Sequence, residues 1–255
     1  MRTVEPSPLW IAPTSPLVVT TPMLIQEWRD VVFLHWRYPP EAVRPHIPAA
    51  LELDLLDGDA WVTSATFSIP NMRIGPLPPL PGLHTGAESN LRTYVVDPEG
   101  RRGLWMLAMD FTPLAAVLVG RFPFLLPYWW SSIDVERTPE ATRYAVLRRA
   151  PGQATLDVEV SVGAPRPPDE LASSDHFLTA RWLLYGGLDG VLFSVLSNHP
   201  PWTLRQAELV DLRQTVLQSA GLPDPEGPPL VQFSDGVLAK LDRPRVVSDP
   251  GVAAA

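Results

Sequence analysis

Leu51-Glu52-Leu53-Asp54-Leu55-Leu56-Asp57-Gly58-Asp59-Ala60-Trp61-Val62 is the stretch whose reading decides the fold class. Leu51, Leu53 and Leu55 alternate with Glu52 and Asp54, a period of two that suits a strand with one apolar face. Asp57-Gly58 is the pair favoured in tight hairpin turns, where both central residues need a positive φ. Ala60 to Ile69 then reads as the returning strand, so the stretch predicts a β-hairpin.

The same patterning extends in both directions. Residues 1–20 are a proline-rich, extended lead-in. Thr21 and Pro22 open a short predicted helix to Trp28, with Thr21 as cap and Pro22 in the first turn. Asp30 to Tyr38 is a strand, rich in apolar, aromatic and β-branched residues. Pro39-Pro40-Glu41 starts a short helix that Pro48 stops. Residues 70–86 hold five prolines, at 70, 76, 78, 79 and 81, and form a loop long enough to serve as a lid or binding loop.

Strands follow at Glu88–Val96 and Gly103–Phe111, then a helix from Pro113 to Arg121. Further strands are expected at Trp129–Glu136, Thr142–Arg149 and Ala154–Val162. Asp169–Ser174 reads as a short helix. Leu178–Tyr185 and Val191–Ser197 are expected to pair around the turn at 186–190. Arg205–Leu212 and Leu230–Leu241 supply the last strands, and 246–255 is expected to fray. There is no internal repeat and no shift in composition. The expectation is a single α+β domain over residues 21–245, mostly antiparallel, with a strongly curved or barrel-like sheet and a few short helices.

Composition narrows the function. The net charge of −8 and the absence of a basic run beyond Arg101-Arg102 and Arg148-Arg149 argue against a nucleic-acid partner. With no cysteine, disulfides, thiolate catalysis and cysteine-bound zinc are excluded. The apolar run Leu114–Trp130 is interrupted by Arg121, Pro123 and Pro127, and the N-terminus lacks the pattern of a secretion signal. The expected setting is therefore cytoplasmic, without a membrane partner. The five histidines, at 35, 46, 84, 176 and 199, never fall at ligand spacing, so no metal is expected, and no nucleotide loop predicts a cofactor. Lys240 is the single lysine.

Four clusters carry polar chemistry. In Phe33–Pro39, strand alternation places His35 and Arg37 on one face, either as a buried hydrogen-bonded pair, as a solvated face or as part of a site. In Glu88–Tyr94, Glu88, Asn90, Arg92 and Tyr94 share a face. That face is either a solvated surface or the polar wall of a pocket, with Arg92 suited to clamp a carboxylate and Glu88 to move a proton if buried. Asp175–Tyr185 contributes His176 and Arg181, and Asn198–Trp202 contributes His199. Each of these histidines lies beside an aromatic residue, and a turn-capping role is the plainer reading.

Together the clusters resemble the YqjF-like family of uncharacterised bacterial proteins. The resemblance lies in Phe33–Pro39, the stretch Leu51–Phe67, Glu88–Tyr94, Asp175–Arg181 and His199–Trp202, and spans residues 25 to about 205. That family in turn resembles the acetoacetate decarboxylase superfold, which implies a curved antiparallel sheet wrapped as a cone-like barrel around an interior pocket. In acetoacetate decarboxylase a lysine forms a Schiff base with the ketone. The enzyme's Phe-Pro-Lys-Lys stretch is matched here by Leu126-Pro127-Tyr128-Trp129, which implies that Tyr128 and Trp129 stand where its lysine pair would be. A phenol cannot form an iminium, so the resemblance implies a different chemistry.

Three functions stay open from sequence. The first is an enzyme acting on a small carbonyl or carboxylate compound. In it Arg92 and Arg37 hold an anionic group, Glu88 moves a proton, Tyr128 or His176 faces a developing oxyanion, and His35, Asn90, Arg181 and His199 contribute binding groups. Enolisation, hydration–dehydration or cyclisation would suit these groups. The second is a non-catalytic binding protein for a small apolar acid or ketone, whose cavity is lined by the nine tryptophans and the aromatics around Phe122–Trp130, unless these are plain core packing. The third is an interaction module without a small-molecule site. Edge strands would allow pairing into a homo-oligomer.

Overall fold

The computed structural model describes residues 8–79, 82, 84–121, 126–149, 152–188 and 191–247. In chain order the strands and helices are β1 (Leu24–Tyr38), α1 (Pro40–Val43), β2 (Glu52–Leu53), β3 (Ala60–Ile74), β4 (Gly86–Val96), β5 (Arg102–Phe111), α2 (Leu114–Arg121), β6 (Tyr128–Arg137), β7 (Ala141–Arg148), β8 (Thr155–Pro165), α3 (Ser173–Thr179), β9 (Leu183–Leu188), β10 (Val191–Asn198), β11 (Leu204–Gln214), α4 (Val216–Ser219), β12 (Leu230–Leu241) and β13 (Arg245–Val246). All 13 strands join in one sheet. Every pairing is antiparallel except those of β5 with β6 and with β9.

Two strands fork. The start of β5 pairs with β9 through Leu104 and Trp105, and its end pairs with β6 through Met109 to Phe111. Likewise β12 pairs with β11 at Phe233 and Ser234 and with β10 at Lys240 and Leu241. Two closed circuits result. One runs β4–β5–β6–β7–β8–β11–β12–β1–β3 and back to β4; the other runs β4–β5–β9–β10–β12–β1–β3 and back. They share the wall β12–β1–β3–β4–β5.

Alternation along this wall feeds two interiors. Val32, Leu34 and Trp36 point to one side, where Tyr144, Val146, Leu156, Val158 and Phe233 fill the space as the largest core. Val31 and Phe33 point to the other side and pack with Ala65, Phe67 and Phe111. This is why Val31 to Trp36 reads as an unbroken buried run: neither face of β1 meets water. Curvature comes from bulges. The β1–β3 register slips between Glu27 and Val32, where Asp30 has φ +56. Opposite, Gly236 has φ +122, and a Cβ there would stand 1.9 Å from the Trp28 carbonyl oxygen.

Several sequence expectations are corrected. Residues 24–28 extend β1 and are not helical, because pairing with both β12 and β3 outweighs the Thr-Pro start signal. The turn at Asp57-Gly58 forms as read, with φ +55 and +87. Its hairpin, however, stops at the bridge Leu56–Asp59, and Glu52–Leu53 pairs with Val95 and Val96 of β4. The expected loop at 70–86 is shorter, since β3 continues to Ile74; positions 80, 81 and 83 lie outside the described residues. Helix α3 continues to Thr179, and β9 begins only at Leu183. In the lead-in, Pro8–Ile11 is a 3-10 turn, and Trp182 donates to the Ala12 carbonyl at 3.1 Å; residues 1–7 are outside the described set. Within the tail expected to fray, Val246 pairs with Phe193 and Val247 is buried; residues 248–255 are not described.

Candidate functional site

The wall's second face, with β9, β10 and α2, encloses a cavity of about 290 Å³. Cross-strand register orders its floor in rows. Arg92 lies between Thr63 and Met106, with His35 beyond Thr63; Asn90 lies between Ala65 and Met109, with Phe33 beyond Ala65; Glu88 lies between Phe67 and Phe111. Thus Glu88, Asn90 and Arg92 form a polar ladder up one strand in a mainly apolar lining, to which Gln26 and Asp242 add polar groups from β1 and the end of β12. Tyr128 enters from the first residue of β6, against Phe111.

The ladder is electrostatically unbalanced. Glu88 is 4% exposed, and burial pushes its carboxyl up to about 7. The opposing influences are the Asn90 amide, which donates to Glu88 Oε1 at 2.9 Å, the Arg92 charge and the Tyr128 hydroxyl. Arg92 is 9% exposed, lies over the Phe33 ring at 5.6 Å and makes none of the salt bridges among the described residues. Its Nε has no hydrogen-bond partner, and neither does Asn90 Oδ1. Burial, together with Glu88, holds the Tyr128 hydroxyl well above the usual phenol range, so it stays protonated.

The residues singled out from sequence divide in two. Glu88, Asn90, Arg92 and Tyr128 meet in the cavity. His35 lies just behind Arg92 with both ring nitrogens engaged, Nδ1 with Thr63 Oγ1 at 2.7 Å and Nε2 with Gln232 Oε1 at 3.0 Å. The Gln232 amide donates to Asp175 at 2.6 Å, and Asp175 is held by Arg166. Desolvation, reinforced by the Arg92 charge, lowers His35 to about 3, so it stays neutral, and it is not among the residues that line the cavity. His199 is caged by Trp28, Trp182 and Trp202. Its Nδ1 lies 2.7 Å from the Pro200 carbonyl, and burial lowers it to about 4.

The other three stand apart. Arg37 is exposed at the end of β1, paired with Asp59 at 3.3 Å and stacked on Trp61. Face-sharing with His35 does not bring it inside, because β1 has by then left the cavity. Arg181 is buried, but its NH1 donates to Asp54 at 2.6 Å and its Nε to the Phe177 carbonyl at 2.8 Å; it ties α3 to the chain before the tight turn. His176 sits half-buried on α3, outside the cavity lining.

Of the Phe122–Trp130 aromatics, Tyr128 lines the cavity, Trp129 packs on the filled core and Trp130 is exposed; Phe122 and Phe124 lie outside the described residues. Of the nine tryptophans expected to line the cavity, Trp28 and Trp202 do so, stacked in its wall with centroids 6.0 Å apart; sequence reasoning missed Met72, Met106 and Met109. Period-two counting does not reach the methionines: Met72 is out of phase with the lining residues Ala65 and Phe67 on β3, and Met109 is out of phase with Met106 on β5, whose pairing with β4 shifts register between Leu91 and Arg92.

A family model for uncharacterized conserved proteins, DUF2071, matches residues 25–238. The chain belongs to this family. It is 33% identical over 210 residues to the uncharacterized protein YqjF of Bacillus subtilis (strain 168), covering 82% of this chain and 86% of that protein. Among solved structures, the DUF2071 chain resembles the enduracididine biosynthesis enzyme MppR complexed with pyruvate. That match has a TM-score of 0.64 at 18% identity and covers 93% of this chain and 96% of MppR. It also resembles the acetoacetate decarboxylase of Legionella pneumophila, with a TM-score of 0.62 at 13% identity and 98% of each chain covered. The fold is therefore acetoacetate decarboxylase-like, as its sequence resemblance implied. Lys240 is exposed on β12 and is not among the residues that line the cavity. Among the described residues, no helix is long and apolar enough to cross a membrane.

Proposed function

We propose that the cavity binds a small carbonyl compound bearing a carboxylate, and that the protein acts on it by proton transfer without a covalent amine, as a lyase or as an isomerase or cyclase. The observation that carries this reading is Arg92: a buried guanidinium facing a cavity, with no salt bridge among the described residues and an unpartnered Nε. A buried charge is costly unless paired, and a carboxylate would pair it bidentately. Glu88, pushed up to about 7, holds both protonation states near neutral pH, the condition for a general acid–base. Tyr128, kept protonated, supplies a donor for an enolate or alkoxide oxygen. The solved complexes of MppR with pyruvate and with the condensation product of pyruvate and imidazole 4-carboxaldehyde support a keto-acid ligand class in this fold.

Among the described residues, the lining offers no lysine, cysteine or serine nucleophile. That favours a second reading, binding without turnover. Thermal-shift screening of keto acids, carboxylic acids and ketones on the wild type and Arg92→Ala tests the site itself. A ligand at about 100 times its Kd stabilises the fold by roughly 2.7 kcal/mol, and the shift should vanish in the variant. Keto-acid hits are then followed by NMR for exchange of the α-proton with deuterium. In the catalytic reading Glu88→Gln slows that exchange by about 10²–10⁴-fold. Hits that bind through Arg92 but neither exchange nor turn over establish the binding protein, and the absence of any hit refutes the site.

A further inference from the structure

The cavity is long and apolar beyond its polar ladder, and its charges are few. Arg92 is the one cation among the described lining residues, and it occupies the row that ends at His35, a buried part of the wall. From there the floor passes Glu88 with Phe67 and Phe111, then Gln26 paired in register with Met72, and ends at Leu24 with Ile74. Exposure rises in the same direction: Ile74 is 40% exposed, and Val119 of α2, which also lines the cavity, is 53% exposed. The mouth is therefore at the Leu24–Ile74 end, and the cation lies at the far end.

A three-carbon keto acid held on Arg92 would cover the ladder and leave the apolar length of the cavity in contact with water. A volume of about 290 Å³ has room for on the order of ten water-sized groups. A second charge on the ligand would meet Met72, Trp28 and Trp202 along the body of the cavity, none of which can pair it, and a second carboxylate at the mouth would meet Asp242, already held by Arg245 at 2.8 Å, so it would bear the cost of desolvation and of repulsion. The flexible methionines suit an apolar body without fixing its shape.

Resting on the carboxylate-site reading above, we infer that the substrate class is a monocarboxylate with an extended apolar body, aliphatic or aryl, of about ten non-hydrogen atoms. Its acid group lies on Arg92 and its body runs along Trp28 and Met72 toward Ile74. Very small keto acids and dicarboxylates are poor ligands by the same geometry.

Calorimetric titration of straight-chain monocarboxylates from acetate to decanoate tests this, alongside the matching α,ω-dicarboxylates and 1-alkanols. Affinity should rise about fourfold per methylene until the cavity is full, then level off. The dicarboxylates and alkanols should bind at least tenfold more weakly than the monocarboxylate of equal length. Val195→Phe, which narrows the cavity from β10, should move the break to shorter chains. Affinity that is flat with chain length, or dicarboxylates that bind as well as monocarboxylates, would overturn the inference. Arg92-dependent binding of short acids alone would do so while sparing the carboxylate site. Chain-length-dependent binding that is unchanged in Arg92→Met would instead refute the carboxylate site, and this inference with it.

Discussion

Glu88→Gln tests the electrostatics of the site without changing its shape. In the wild type the Glu88 carboxyl is raised from 4.5 to about 7 by burial. The folded protein therefore holds this proton more tightly than the unfolded chain does. The sign follows from linkage: Glu88 favours the fold below its unfolded value of 4.5, and that contribution is lost as pH rises through about 7. The shift corresponds to about 3 kcal/mol. His35 and His199, lowered to about 3 and about 4, act in the opposite sense, losing stability as pH falls below 6.5. Both are present in each protein and cancel in the difference. Thermal unfolding of the ligand-free wild type and Glu88→Gln from pH 4 to pH 8.5 reads that difference. The variant should gain on the wild type across the window by about 3 kcal/mol, or roughly 6–12 °C in Tm for a chain of this size. A difference that does not change with pH would show that Glu88 titrates normally, and would remove the basis for its acid–base role.

Three further perturbations have defined outcomes. Arg92→Met removes a buried cation that makes no salt bridge among the described residues, so the ligand-free variant should be as stable as the wild type or more so while losing carboxylate binding; a fall of several degrees in Tm would make Arg92 a structural residue. Asp110→Ala leaves Arg148, which donates to Asp110 from Nε and NH2 at 2.8 Å each, buried without its carboxylate. That should cost about 3–5 kcal/mol by urea unfolding, and a loss under ~1 kcal/mol would contradict a tightly desolvated pair. Gly236→Ala forces a Cβ against the Trp28 carbonyl at a positive φ; it should destabilise by well over ~1 kcal/mol, and a variant of wild-type stability would show that the bulge can relax.

Local signals carried most of the architecture. Alternation in Glu88–Val96 and Gly103–Phe111 and the Asp57-Gly58 turn are properties of a few neighbouring residues, and they form as read. What failed was decided at a distance. Leu51–Leu55 alternates like a hairpin arm, yet its pairing goes to Val95 and Val96, a choice that no local pattern encodes. Thr21-Pro22 is a sound helix start, but β3 and β12 offer residues 24–28 a partner on each edge. The site followed the same division. Glu88, Asn90 and Arg92 lie two residues apart on one strand, so one period-two reading found all three. Arg37 and His35 obey the same rule and still separate, because periodicity gives the face of a strand and not where along it the cavity ends. Arg181 and His176 needed the positions of Asp54 and α3, which only tertiary structure supplies.

The two interiors explain how such a site persists. A largely apolar cavity is a cost to the fold, because its lining forgoes the packing contacts that a filled core makes. The ladder adds a buried cation and a buried acid. The shared wall offsets this from its other face, where Trp36, Tyr144, Leu156 and Phe233 pack without exposure into the larger core. The same strands β1, β3 and β4 that hold Glu88, Asn90 and Arg92 in place are thus fixed from behind by side chains one position out of phase. One face of the sheet is filled by packing, and the proposed chemistry lies on the other. A substitution in the filled core, such as Tyr144→Phe, should then change stability while leaving the relative affinities of carboxylate ligands in place, whereas one in the hollow face should reorder them.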